Sequence, residues 1–176
     1  MICEKRPGAH PGNPVFTVMI PTWNNLPMLR LCLDSLERNS GLPFEVVLHI
    51  NQGSDGTMDW ARERGIGFTA SRDNIGVCRA LNAARTLAAG DYLVFMNDDM
   101  YACPGWDTAL LKAAGEVGHN RFMLSGTLIE PRKTSNSCVV VADYGRDPGG
   151  FLEEELLRDL PRLGKADWQG STWPPN

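Results

Sequence analysis

Two adjacent carboxylates, Asp98 and Asp99, follow an apolar run at residues 92–96 with Asn97 between, and the chain then breaks at Pro104 and Gly105. Paired hard-oxygen donors at the carboxyl end of a strand suit Mg²⁺ or Mn²⁺ shared with a diphosphate, whereas zinc would call for Cys and His. Three more polar turns stand in comparable positions. Pro21, Thr22, Trp23 and Asn24 follow the apolar run 15–20. Asn51 to Thr57, with Gly53, Asp55 and Gly56, follows the run 44–50. Asn74, Ile75 and Gly76 precede a helical pattern that carries Asn82.

The elements that must position these turns read as an alternation of strands and helices. Residues 15–20 are β-branched and aromatic and are stopped by Pro21, which predicts a first buried strand. Asn24 or Asn25 then caps a helix with Pro27 in its first turn and Leu26, Leu29, Leu33 and Leu36 on one face, ending near Gly41. A second strand is expected at 44–50, a short helix to about Arg64, a short strand at 65–69, a helix from Asn74 to Gly90 and a fourth strand at 91–96. Beyond it the spacing predicts a helix over 106–117, strands at 122–129 and 139–142, a polar loop at 130–136 and a short helix within 151–160. Such alternation implies right-handed crossovers and a parallel, doubly wound sheet, with ligands at the carboxyl ends of its strands. The turns after the first, second and fourth strands therefore converge on one edge.

At 176 residues the chain suffices for one domain with a sizeable core. Its net charge of -4, without any basic run, argues against a nucleic-acid partner. Cys3, Cys32, Cys78, Cys103 and Cys138 are scattered and form no C-x-x-C pair, so they read as reduced thiols. Residues 1–13 hold Pro and Gly but no apolar run and read as a flexible tail rather than a signal peptide. Residues 15–20 are too few to span a bilayer. A cytoplasmic location is the resulting expectation, with peripheral attachment to the inner face of a membrane as the alternative. His10, His49 and His119 do not cluster with cysteines, and His49, inside the second strand, reads as a satisfied sheet residue.

In order and spacing the four turns resemble the family 2 glycosyltransferases of the GT-A fold, a Rossmann-like, three-layer α/β/α architecture with a mostly parallel sheet. The resemblance covers residues 15–111 well and the last third loosely. It implies a nucleotide-sugar-binding core at 14–130 and an incomplete acceptor-side segment at 131–176. It places Pro21, Thr22 and Trp23 against the nucleotide base, where the Trp23 ring stacks; the alternative is a core plug beside Pro21. Asn51 stands where the family usually has an aspartate that accepts the imide N–H of uracil, which favours uridine. Asn74 and Gly76 lie close to the nucleotide, at a helix start whose N–H groups favour an anion, with Arg72 and Arg79 alongside. Asp98 is implied to reach the ribose hydroxyls, and Asp99 to coordinate the divalent cation, Mn²⁺ or Mg²⁺, that bridges the diphosphate.

The activity implied is metal-dependent transfer, with inversion, from a nucleotide-diphospho-sugar, a UDP-sugar above others, to a saccharide, lipid or protein acceptor. Inversion requires a general base across the sugar ring from the leaving group. The family's base lies well beyond the metal motif, and the chain is expected to end before it. Asp143, Asp147, Glu153, Glu154, Glu155 and Asp167 are the remaining carboxylates, and none is assigned as the base. Residues 168–173, bounded by Trp168 and Trp173, resemble the lead into the acceptor site; tryptophans covering the sheet are the equal alternative. The runner-up function is a nucleotide or nucleotide-sugar binding module without transfer. A Rossmann dehydrogenase is disfavoured because no G-x-G-x-x-G follows the first strand, and no G-x-S-x-G turn supports a hydrolase.

Overall fold

The computed structural model describes residues 1–4, 13–136, 138–163 and, for the backbone, 170–172. Two compact units divide between Ala102 and Cys103. The first unit carries β1 (Ile2–Glu4), β2 (Phe16–Trp23), α1 (Leu26–Asn39), β3 (Phe44–Asn51), α2 (Thr57–Glu63), β4 (Gly67–Ser71), α3 (Val77–Arg85) and β5 (Tyr92–Phe95). Its strands form one sheet in the order β1-β4-β3-β2-β5, parallel throughout except for β1, which runs antiparallel to β4. Residues 2–4, read from sequence as part of a loose tail, thus form an edge strand, with Ile2 opposite Ala70 and Glu4 opposite Phe68. Glu4 is also ion-paired with Arg62 at 2.7 Å. Residues 5–12 lie outside the described set.

The chain order reverses at β2. From it the sheet grows through β3 to β4 on one side, and then α3 carries the chain back to lay β5 on the other. With right-handed crossovers, the two directions of growth put α1 and α3 on opposite faces. Met19 and Val47 pack with Ala84 and the partly buried Leu81 of α3 and with Leu87 just past its end. Val18, Ile20, Leu48 and Ile50 alternate with them and are buried, as are Leu29, Cys32, Leu33 and Leu36 of α1. The crevice of such a fold opens at the switch point, between the carboxyl ends of β2 and β5.

Pro21 does not stop the first strand. β2 continues through it to Trp23, paired with β3 as far as Asn51. Tyr92 N–H donates to Val15 O and Met96 N–H to Met19 O, so odd-numbered residues of β2 turn their backbone groups toward β5. The nitrogen of Pro21 faces that same side, just past the paired stretch, where no N–H is required.

Gly90 has a different constraint. A Cβ there would lie 2.6 Å from Thr17 N and 2.7 Å from Phe16 C, and the Gly90 N–H donates to Thr17 Oγ1 at 2.8 Å.

The second unit contains α4 (Trp106–Val117), β6 (Phe122–Leu124), β7 (Leu128–Glu130), β8 (Val139–Val141), α5 (Glu153–Asp159) and β9 (Gly170–Thr172). β6 pairs antiparallel with β9, and β7 pairs parallel with β8. The single strand expected at 122–129 is therefore two short ones with different partners, separated at residues 125–127, which include Gly126.

Substitution of Gly90 by Ala sets a methyl group against the backbone at the start of β2. It is expected to lower the unfolding free energy by about 1–3 kcal/mol, read as a reduced urea midpoint at constant slope; an unchanged midpoint would contradict the close approach.

Candidate functional site

Every site residue expected from sequence lies in the first unit, at the carboxyl edge of its sheet. At the centre is Asn51, the last residue of β3 and only 4% exposed. Its Nδ2 donates to Thr22 O at 3.3 Å, and its Oδ1 accepts from Ile75 N–H at 3.0 Å. One side chain thus ties the ends of β2 and β3 to the turn before α3. An aspartate would set a carboxylate oxygen against the Thr22 carbonyl, so this arrangement requires the amide.

Behind Asn51 lies a buried polar chain. Ser71 Oγ donates to Asp73 O at 2.7 Å and lies 3.1 Å from His49 Nε2, while His49 Nδ1 lies 2.8 Å from Thr69 Oγ1. Ser71 has one hydroxyl hydrogen, and its shortest bond uses it. His49 Nε2–H therefore donates to Ser71, and Nδ1 accepts from Thr69. His49 is fully buried. Burial lowers its pKa from the usual 6.5, opposed by the nearby Asn51 side chain. It is a satisfied sheet residue, as its place in the strand suggested.

The turns after β2 and β3 are clasped together. Trp23 Nε1 donates to Gln52 Oε1 at 3.0 Å and Asn24 Nδ2 to the same oxygen at 3.3 Å, while Asn24 Oδ1 accepts from Ser54 N–H at 2.9 Å. Asp55 Oδ2 accepts from Leu26 N–H at 2.9 Å, and its Oδ1 from Thr57 N–H and hydroxyl. Neither Asn24 nor Asn25 caps α1 through its side chain; the cap comes from Asp55, on the next turn. Burial raises the Asp55 pKa, but its hydrogen bonds from Thr57 and Leu26 outweigh that and leave it below the usual range. The Trp23 ring is 55% exposed, which excludes the core-plug reading.

Asp98 and Asp99 follow β5 at the switch point. Asp98 is half-buried and Asp99 exposed. Burial, with the Asp99 charge adding to it, raises the Asp98 pKa; the Thr22 hydroxyl, the Asn25 side chain and the Trp23 N–H act the other way. Thr22 Oγ1 is buried and makes no hydrogen bond of standard geometry among the described residues, although it lies near enough to Asp98 to stabilise its charge. Helix α1 supports this segment from beneath. Cys32 Sγ lies 3.8 Å from Met96 Sδ and 3.7 Å from Asn97 O, Ser35 Oγ accepts from Ala102 N–H at 2.8 Å, and Asn39 Nδ2 donates to Ala102 O at 2.8 Å. Burial, then the charge of Asp98, pushes the Cys32 thiol up to about 12.

Asn74 Oδ1 accepts from Gly76 N–H at 2.9 Å, and Gly76, at φ +78° and ψ 162°, leads into α3 without a side-chain cap. That conformation is close to glycine-only. Arg72 and Arg79 are exposed on either side of the turn.

The sequence model of glycosyl transferase family 2 matches residues 17–135. The chain belongs to that family. A PGL/p-HBAD biosynthesis glycosyltransferase of Mycobacterium tuberculosis (strain H37Rv) is 36% identical over 91 residues, 49% of this chain and 36% of that protein. The validoxylamine A glucosyltransferase of Streptomyces hygroscopicus subsp. limoneus is 28% identical over 95% of this chain and 40% of its own. The chain thus spans well under half the length of these relatives. Among solved structures, S. aureus TarS 1–349 superposes with a TM-score of 0.55 at 23% identity, covering 69% of this chain and 38% of that one. The mannosyltransferase PcManGT of Pyrobaculum calidifontis gives 0.54 at 24%, covering 72% and 40%. Both share the GT-A arrangement of a mostly parallel sheet.

In this family 2 domain, sequence reasoning missed Gln52, Ser35 and Asn39, and read Asp55 only as a turn residue. Polar residues at 32, 35 and 39 interrupt the apolar face of α1 at helical spacing, and that was the available signal. In the second unit Asp143 accepts from Gly145 N–H and is paired with Arg146 at 3.0 Å, which hold its pKa below the usual range. Asp147 accepts from Gly150 N–H at 2.9 Å. Asp167, Trp168 and Trp173 lie outside the described residues. No described helix is long and apolar enough to cross a membrane.

Two outcomes are expected. The fold favours neutral His49, while the unfolded chain takes up its proton near 6.5. This contribution to stability is intact above that pH and declines as pH falls through it toward the lower folded value. Urea midpoints of wild type and His49→Gln, compared above and well below pH 6.5, should show the wild type losing more on acidification; parallel losses would contradict the assignment. Asp98→Asn removes a carboxylate that resists ionisation, so the free protein should melt at the same temperature or higher, and a marked fall would refute this.

Proposed function

We propose that this domain binds the nucleoside diphosphate of a sugar donor at the carboxyl edge of the sheet and serves transfer of that sugar, with inversion, to an acceptor hydroxyl. The observation that carries the reading is Asp98, half-buried at the switch point beside the buried Thr22 hydroxyl, with Asp99 next to it. A half-buried carboxylate beside a buried hydroxyl, at the carboxyl ends of the strands, is suited to meet hydroxyl and cationic groups of a ligand. Asp98 is assigned to the ribose hydroxyls. The exposed face of Trp23 stacks on the base, and the uncapped start of α3, after Asn74 and Gly76, faces phosphate, with Arg72 and Arg79 available beside it. Asn51 acts through the two loops it joins, because its amide is already bonded to Thr22 and Ile75.

No three described His, Cys, Asp or Glu residues gather as a self-sufficient metal cage. The donor set fits a cation that takes few protein oxygens and completes its shell with phosphate and water, as Mg²⁺ and Mn²⁺ do. Asp99, with Asp98 adjacent, would hold it. When bound, such a cation supplies charge neutralisation on the departing diphosphate. PcManGT was solved with GDP-Man and Mn²⁺, and TarS 1–349 with UDP. These complexes support a nucleotide-sugar donor, and uridine remains the favoured base. Inversion follows from attack on the face opposite the leaving group. No carboxylate is assigned as the base, and since Asp143 and Asp147 are engaged in their own turns, a binding module without transfer is the second reading.

Titration calorimetry with UDP tests the site. Affinity should require Mg²⁺ or Mn²⁺ and fall by several kcal/mol in Asp99→Ala. Binding that is undiminished in EDTA or in the variant would remove the metal from the scheme. Release of free sugar or glycoside from a UDP-sugar distinguishes transfer from binding alone.

A further inference from the structure

Gln52 sits at the centre of a three-residue turn closed by Gly53 N–H to Asn51 O at 2.7 Å, with φ +64°. This is the rare, strained form of that turn, and glycine would occupy it at less steric cost. Its partner Asn24 is the other described non-glycine residue at positive φ, +49°. Two strained residues from neighbouring loops, joined through their amides beside an exposed tryptophan, mark a place where the side chains are needed.

The orientation of the Gln52 amide is fixed by chemistry. The indole Nε1–H of Trp23 can only donate, so the Gln52 atom 3.0 Å from it is oxygen. Asn24 Oδ1 is committed to Ser54 N–H, so its Nδ2 faces Gln52, whose atom must again be oxygen. With Oε1 held by two donors, the Nε2 group is turned away from both. Gln52 is exposed, and its Nε2 meets no acceptor among the described residues.

Resting on the nucleotide reading above, we infer that Gln52 is a specificity-determining residue: its fixed Nε2–H donates to an exocyclic carbonyl of the base stacked on Trp23. The class of base selected is one with a carbonyl, uracil or guanine, over one with an amino group in that place, cytosine or adenine. A single amide donor meeting a carbonyl in one case and another donor in the other discriminates by about tenfold or more.

The test is competition binding, with Mg²⁺ present, of UDP against CDP and of GDP against ADP. These pairs separate the pyrimidine from the purine source of the same carbonyl. Wild type should prefer the carbonyl-bearing member of the pair that binds by about tenfold. Gln52→Glu still accepts from Trp23 and Asn24 but offers an acceptor in place of the donor, so the preference should reverse. Gln52→Met, which offers neither, should bring the ratio near one. If nucleotides bind and the ratio is the same in wild type and both variants, the role of Gln52 is overturned while the donor site stands. If wild type binds none of the four, both fall.

Discussion

The carboxyl edge of the sheet depends on one buried amide. Asn51 joins the Thr22 carbonyl to the Ile75 N–H, so the loop that carries Trp23 and the turn that opens α3 share one reference point. Losing it would leave a carbonyl and an N–H without partners, each costing about 1–3 kcal/mol where water cannot replace them. The His49, Ser71 and Thr69 chain behind it fixes the strand ends from within the sheet. A charged side chain at position 51 would serve a ligand directly but could not make the bond to Thr22. The amide trades direct recognition for rigidity of the loops that do the recognising.

Much of this was legible in the sequence because it rests on periodicity. The alternation of strands and helices, the apolar face of α1 and the polar turns at strand ends are local signals, and the structure places the turns on one edge as their order implied. Pro21 was misleading because its meaning depends on which neighbour a strand has at that residue, and β5 pairs only as far as Met19. Residues 2–4 became a strand through pairing with β4, a partner more than sixty residues away in the chain. The helix cap from Asp55 and the clasp through Gln52 were hidden for the same reason, since both join loops about thirty residues apart. Asn51 was found as a site position, but its bonds to Thr22 and Ile75 needed coordinates.

The Asp98 segment shows how support and strain are divided. Beneath it, Cys32, Ser35 and Asn39 project from successive turns of α1 and hold residues 96–102 through sulfur and hydrogen-bond contacts. Above, Asp98 is only partly compensated and sits beside a second carboxylate. A rigid underside lets a destabilised carboxylate keep its position rather than relax toward water, as is usual where stability is given up at functional sites.

The two rims of the first unit's sheet are finished differently. β1 closes one side as a three-residue antiparallel strand against β4, whereas among the described residues β5 is the last strand on the other, with Leu93 45% and Phe95 50% exposed along it. A terminal strand flanked by apolar side chains offers backbone groups to another chain, and a length of four residues limits that pairing. Lengthening β5 by substitution, for example by replacing its flanking polar residues with β-branched ones, would therefore endanger solubility before it changed the fold.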